Sequence, residues 1–452
     1  MESTNRNTKG RRRRKIEMNE DQLRIFKKVV DERRNIFITG SGGVGKSVLV
    51  EKIVSELRDK LGNNGQVAVT ASTGKAAFNI HGCTLHSFSG IGLGKEEAEP
   101  LAKRVKYNTN SYSRWKKVKA LIVDEVSMIN GILFDKLEYI ARYVRDSTEP
   151  FGGIQLVLVG DFLQLPPVST GPVKEPRVFE AKSWNSCIKE YDKLTSILRQ
   201  KDDKFIQCLQ KIRVGHVDEE TTIFLNSLSR ELNNDSEVIP VNLYATRNRA
   251  DIYNYSQLEK INEKQVSFSA LDEGTARNST SILDQCPAPS ELTLKKGAQV
   301  MLVKNLTNDL VNGTVGIIVD FTDEIEIKYN FKGTTTVKES LPIVRFTLTN
   351  RKVFTRVMDR ATWETRLPSG QLQASRTQIP LILAWAITIH KSQGQTIERL
   401  IVNLDNTFET GQVYVALSRA VDASNLQVKG FNPGSVMSDE TSLKFYVEND
   451  LL

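Results

Sequence analysis

The segment Gly40-Ser-Gly-Gly-Val-Gly45-Lys46-Ser47 has the residue types and spacing to hold phosphate. It fits GxxxxGK[ST] and stands between an apolar stretch, residues 35–39, and a run with Leu49, Val50, Ile53, Val54, Leu57 and Leu61 at helical spacing. Strand, glycine loop, helix is the context this pattern requires. Gly40, Gly42, Gly43, Val44 and Gly45 would present backbone N–H groups to an anion, and the helix N-terminus adds positive potential. Lys46 would reach the β- and γ-phosphates, and Ser47 would offer its hydroxyl to Mg²⁺.

A second group of side chains suits the same chemistry. Leu121-Ile-Val-Asp124-Glu125 ends an apolar strand in two carboxylates. At the carboxyl edge of a parallel strand, Asp124 faces a nucleotide crevice and can hold Mg²⁺ through oxygen. Glu125 is then placed to polarise an attacking water, which favours hydrolysis over transfer. Standing alone, the pair reads equally as an acidic strand end that caps the next helix. Residues 158–167 form a third apolar strand followed by Gln164 and Pro166-Pro167. Gln164 is placed to sense a γ-phosphate, while a proline-stopped turn accounts for the segment equally well.

These residues need a parallel α/β scaffold. Short apolar runs at 66–70, 120–123 and 154–159, separated by helical segments, predict a sheet buried on both faces. A second α/β region begins near Leu194, with strands expected at 242–245, 300–303, 380–389 and 399–403. Between them, residues 314–377 carry several short strands broken by Asn, Asp, Gly and Pro, which suggests a small inserted barrel. The expected division is a basic tail at 1–18, a first lobe at 19–193, a second lobe at 194–313 and 378–452, and the β insert at 314–377.

Composition narrows the class. The 452 residues are 39% hydrophobic and 26% charged, enough for several cores and unlike a rod or a disordered chain. The longest apolar run, at 380–389, is about half of what spans a bilayer, and no secretory leader is read at the N-terminus. Net charge is +8, and the first 15 residues hold seven basic side chains against Glu2, so the tail carries most of the excess. Arg11–Lys15 reads as a nuclear import signal, a nucleic-acid patch or a plain solvated tail. Four cysteines without CxxC spacing and four histidines in no metal-ligand spacing with carboxylates give no disulfide framework, zinc module or nuclease centre.

Taken in order, several further segments resemble the Pif-one family of superfamily-one 5′-to-3′ DNA helicases. They are Thr70-Ala-Ser-Thr-Gly-Lys-Ala-Ala, Leu85-His-Ser-Phe-Ser-Gly-Ile, Asp124-Glu-Val-Ser-Met, Gly160-Asp-Phe-Leu-Gln-Leu-Pro-Pro, Ile389-His-Lys-Ser-Gln-Gly-Gln-Thr and Tyr414-Val-Ala-Leu-Ser-Arg-Ala. The stretch Phe179–Gly215, with Leu198-Arg-Gln and Ile212-Arg-Val-Gly, is similar to the family's own signature. The resemblance implies two RecA-like lobes with ATP and Mg²⁺ in the cleft. It also implies a small wedge insert at about 92–119 and an SH3-like β-barrel insert in the second lobe.

By the same resemblance, Gln22 reads the adenine, Arg199 and Arg419 are arginine fingers, Gln164 senses the γ-phosphate, and Gly394 and Gln395 link nucleotide to DNA. Spacing alone selects none of these. The DNA contacts it implies are Ser72, Thr73, His86, Phe88, His390 and Lys391. Hydroxyls and cations suit a phosphate backbone, and an aromatic ring suits a base, at about 1–3 kcal/mol per stacked base. Read as residues alone, Ser72 and Thr73 serve equally as a helix cap, and Phe88 as core packing. Lys75 and Phe78 depart from the smaller apolar residues expected in their motif.

The activity so implied is ATP-driven translocation on single-stranded DNA with unwinding of forked or tailed duplexes, RNA–DNA hybrids and G-quadruplexes. The processes implied are replication, repair, recombination and telomere maintenance. The expected compartment is the nucleus, with the mitochondrion second. The expected state is a monomer, with a dimer on DNA as the alternative, and no membrane partner. A nucleotide-gated clamp that does not unwind, an RNA helicase and a small-molecule kinase are the rival readings, and the kinase leaves the second lobe unused.

Overall fold

The computed structural model describes residues 18–167, 175–233, 238–274, 279–307, 310–330, 334–347, 353–367, 369–405 and 407–452. The basic run Arg11–Lys15 lies outside them.

The first lobe is built on six parallel strands in the spatial order Cys83–Thr84, Val67–Ala71, Ala120–Asp124, Gln155–Val159, Ile36–Thr39 and Glu190–Lys193. Ile36–Thr39 and Val67–Ala71 are buried at every position, as apolar runs covered on both faces must be. Since all strands point one way, Thr39, Ala71, Asp124 and Val159 end on the same edge. The second lobe has four parallel strands in the order Ala386–Thr388, Val241–Tyr244, Leu400–Asn403 and Leu426–Lys429. Among the described residues, no helix is long and apolar enough to cross a membrane.

Four features differ from expectation. The antiparallel β region is wider than 314–377. Its five-stranded sheet runs Val353–Val357, Pro342–Thr347, Val315–Phe321, Gln299–Leu302 and Leu381–Leu383. Val300 pairs antiparallel with Gly316, so the apolar run there belongs to this region and not to the parallel sheet. The long run at 380–389 is two strands, one in each sheet. A short apolar run is compatible with either kind of pairing, and nothing in its own sequence selects between them.

The C-terminal helix Glu440–Glu448, expected in the second lobe, returns to the first. Phe445 stacks on Phe179 at 4.4 Å and meets Phe37, Phe162, Trp184 and Tyr191. The expected wedge is also part of that core. Helices Ala98–Tyr107 and Thr109–Lys117 bury Leu101, Ala102, Val105 and Trp115. Trp115 is fully buried there, with its ring 5.1 Å from that of Phe88. Lys106 and Lys116 are both paired with Asp146.

Candidate nucleotide site and nucleic-acid channel

The phosphate loop joins the end of Ile36–Thr39 to helix Lys46–Leu61. Gly43 and Gly45 have φ of +90° and +84°, a region that side-chain-bearing residues avoid. The loop is also crowded. A Cβ on Gly43 would lie 2.6 Å from Arg199 Cβ, and one on Gly42 would lie 3.2 Å from Arg419 Nη2. Both arginines therefore stand against the loop.

Lys46 bends back on the loop, its Nζ donating to the carbonyls of Gly40 at 2.6 Å and Ser41 at 3.0 Å. Ser47, Asp124 and Glu125 face one cavity of about 540 Å³. Burial raises both carboxyls above their ordinary range, and each is further raised by a neighbouring carboxylate. Burial lowers the Lys46 ammonium, against which Asp161, Glu125 and Asp124 pull upward. Glu125 sits at φ +51°, ψ +44°, a left-handed conformation rare for glutamate and found where a site imposes it. Its carboxylate accepts from Gln393 Nε2 of the second lobe at 3.1 Å.

Arg419 is 2% exposed. Its Nε donates to Val415 O at 2.8 Å and its Nη2 to Ser418 Oγ at 2.7 Å, and no carboxylate pairs with it among the described residues. Burial and the charge of Arg199 pull it down to about 9. Arg199 donates to Thr396 Oγ1 at 3.0 Å and to Ser418 O at 2.9 Å, and burial lowers it too. The cleft thus gathers three cations, none ion-paired with a carboxylate among the described residues, an arrangement that a polyphosphate completes.

Gln22 is buried beside the loop, where a Cβ on Gly45 would lie 3.1 Å from its Nε2. Its main chain opens helix Glu20–Val30, where Gln22 and Asn19 cap one another. Gln164 donates to Asp161 Oδ2 at 3.1 Å. Asp161 is in turn held by Arg213 at 3.0 and 2.8 Å and by Tyr446 at 3.1 Å. Gly394 and Gln393 line the cavity, and Gln395 is buried just beyond.

The cavity continues away from the carboxylates past Thr73, Lys75, Lys304, His390 and Lys391. Thr73 caps helix Gly74–Asn79 through its hydroxyl, and Ser72 Oγ is buried without a partner among the described residues. His390 lies 3.0 Å from Glu409, and Lys75 Nζ donates to the Lys391 carbonyl across the lobes. Besides Ser72, two more expected DNA contacts lie outside the lining of this cavity. Phe88 is fully buried in the first-lobe core, packed by Trp115, and has no face free for a base. His86, half-buried two residues earlier, does not line the cavity, and burial lowers its imidazole.

Sequence reasoning missed several participants. Tyr414 Oη accepts the Gly42 N–H at 2.8 Å, though the two stand 372 positions apart. Gln200 ties the segment carrying Arg199 to Ser418 O and Ala420 O. Arg213, in Ile212-Arg-Val-Gly, grips both oxygens of the Asp161 carboxylate.

Comparison with known proteins gives a consistent result. Residues 17–223 match the family model described as PIF1-like helicase, and 279–321 match DNA helicase Pif1, 2B domain. The chain is 42% identical to the ATP-dependent DNA helicase PIF1 of Emericella nidulans, over 94% of this chain and 62% of that protein. It is 36% identical to the ATP-dependent DNA helicase RRM3 of Saccharomyces cerevisiae, over 94% of this chain and 67% of that one. The crystal structure of Pif1 helicase from Candida albicans superposes with a TM-score of 0.75 at 41% identity, covering 96% of this chain and 99% of that one. The chain thus spans a little under two thirds of the first of these relatives.

Proposed function

The chain belongs to the PIF1-like helicase family, and from that premise we propose that it is an ATP-dependent DNA helicase that translocates 5′ to 3′ on single-stranded DNA. The observation that carries the proposal is Arg419: a buried arginine of the second lobe, without a carboxylate partner among the described residues, aimed at the phosphate loop of the first.

Each residue then has a derivable part. Lys46 exchanges the Gly40 and Ser41 carbonyls for phosphate oxygens. Arg199 and Arg419 place their charge on the γ-phosphoryl group as it loosens, the part worth about 10³–10⁵ in rate. Glu125 orients the attacking water and takes its proton, and Gln393 fixes the direction of that carboxylate. Ser47 and Asp124, a hydroxyl and a carboxylate on one cavity wall, fit a hard divalent cation, and Mg²⁺ there would neutralise phosphate charge. Because both arginines belong to segments that bond the second lobe, engagement and release of the phosphate would close and open the cleft. DNA would lie along Thr73, Lys75, His390 and Lys391, on both sides of that cleft.

Forked and tailed duplexes are the proposed substrates, with RNA–DNA hybrids and G-quadruplexes beyond them, in genome maintenance in the nucleus and, second, the mitochondrion. The support for these finer readings is the motif resemblance and, for the nucleus, the Arg11–Lys15 run. The test is ATP turnover with and without single-stranded DNA. Strong stimulation in the wild type, lost in Glu125→Gln with DNA binding retained, is expected. Turnover indifferent to DNA would contradict the proposal.

A further inference from the structure

We propose that Asn312 is a positioning residue that couples occupancy of the nucleotide site to the antiparallel β region, an inference resting on the ATP-driven reading above. The contacts form a continuous path. The Leu198 N–H donates to Gly43 O at 3.0 Å, so the segment carrying Arg199 rides on the phosphate loop. Arg199 Nε donates to Thr396 Oγ1 at 3.0 Å. The neighbouring Gln395 donates from Nε2 to Asn312 Oδ1 at 3.1 Å, while its Oε1 is buried without a partner among the described residues. Among the described residues, Asn312 is thus the one hydrogen-bond partner of the Gln395 side chain.

The turn bearing Asn312 is keyed to this place. Gly313 has φ +99°, and a Cβ there would lie 2.6 Å from Thr396 O, so the backbone itself packs on the segment. The turn joins two strands of the five-stranded sheet, with Gly313 N–H to Leu302 O and Leu302 N–H to Thr314 O both at 2.9 Å. The same sheet takes in Leu381–Leu383, two residues before the strand that leads to His390 and Lys391. A shift of Arg199 onto a γ-phosphate therefore moves Thr396 and Gln395 against a turn that cannot yield independently of its sheet. Such a chain of contacts becomes coupling only if both sites bias it, and that is a thermodynamic quantity.

The test measures single-stranded DNA affinity by fluorescence anisotropy of a labelled oligothymidylate, with ADP and with a non-hydrolysable ATP analogue. The ratio of the two dissociation constants is the coupling. A wild-type ratio of about tenfold is expected, within the usual allosteric range. Asn312→Ala and Asn312→Ser, whose side chains are too short to reach Gln395, should bring the ratio to about onefold to twofold with DNA-free ATP turnover and KM retained. Asn312→Asp, which keeps an acceptor for Gln395, should restore the wild-type ratio. A wild type that responds to nucleotide, with both short variants responding equally, would overturn this inference alone. A wild type whose affinity ignores the nucleotide would overturn the ATP-driven reading and this inference with it.

Discussion

Gln393 donates to the Glu125 carboxylate at 3.1 Å although the two residues stand on facing lobes. Gln393 directly follows the segment of His390 and Lys391, which line the channel, so the carboxylate proposed to orient the water is aimed by the element proposed to feel the strand. Gln393→Leu should lower DNA-stimulated kcat by about tenfold, a fraction of what removing a general base costs, with little change in DNA affinity. Steady-state turnover beside anisotropy checks this. Equal losses in DNA-free and DNA-stimulated turnover would show that the contact does not report the strand.

The two arginines differ in their surroundings and should differ in response. Arg419→Ala removes a buried cation that, among the described residues, donates to Val415 O and Ser418 Oγ, and kcat for ATP should fall by about 10³–10⁵ with a smaller change in KM. Arg199→Ala should cost turnover similarly and also release Thr396. Arg→Lys at either site should recover only part, since a point charge does not replace a planar fork. A variant with unchanged kcat and a raised KM would make that arginine a binding group alone.

Phe88 sits in the core, and its substitution should read as a stability defect. Phe88→Ala should cost about 3–5 kcal/mol in urea or thermal unfolding, with single-stranded DNA affinity retained by the folded fraction. An unchanged melting curve with weakened DNA binding would restore the stacking role that its motif suggested.

Lys75 gives a pH dependence with a definite sign. Burial, with the Lys391 and Arg419 charges, pulls its ammonium down to about 7 in the free protein. A DNA phosphate nearby favours the charged form, so binding would take up a proton wherever the free form is neutral. Affinity for single-stranded DNA should therefore be full below pH 7 and fall as pH rises above it, by up to about tenfold per unit. Lys75→Met should flatten that slope across pH 6.5–9. A slope that survives the substitution would place the titrating group elsewhere.

The nucleotide half of the site was readable because its requirements are local. Gly43 and Gly45 occupy positive φ that glycine alone adopts freely, and Asp124 ends, and Glu125 directly follows, the strand that aims them. What escaped reading is contact between distant segments. Tyr414 on Gly42, Arg213 on Asp161 and Tyr446 on Asp161 each join residues more than fifty positions apart, and a phenol or guanidinium carries no mark of its partner. Phe88 misled because an aromatic beside a histidine looks the same whether the ring faces a base or Trp115. Val300 misled because a four-residue apolar run fits a parallel or an antiparallel neighbour alike.

The most direct measurement is strand separation with ATP and Mg²⁺ on matched duplexes bearing a 5′ or a 3′ single-stranded tail. Unwinding from the 5′ tail alone, abolished in Lys46→Ala, is the result predicted for a motor whose cleft is closed by Arg199 and Arg419. Unwinding from the 3′ tail, or from either tail with Lys46→Ala still active, would contradict it.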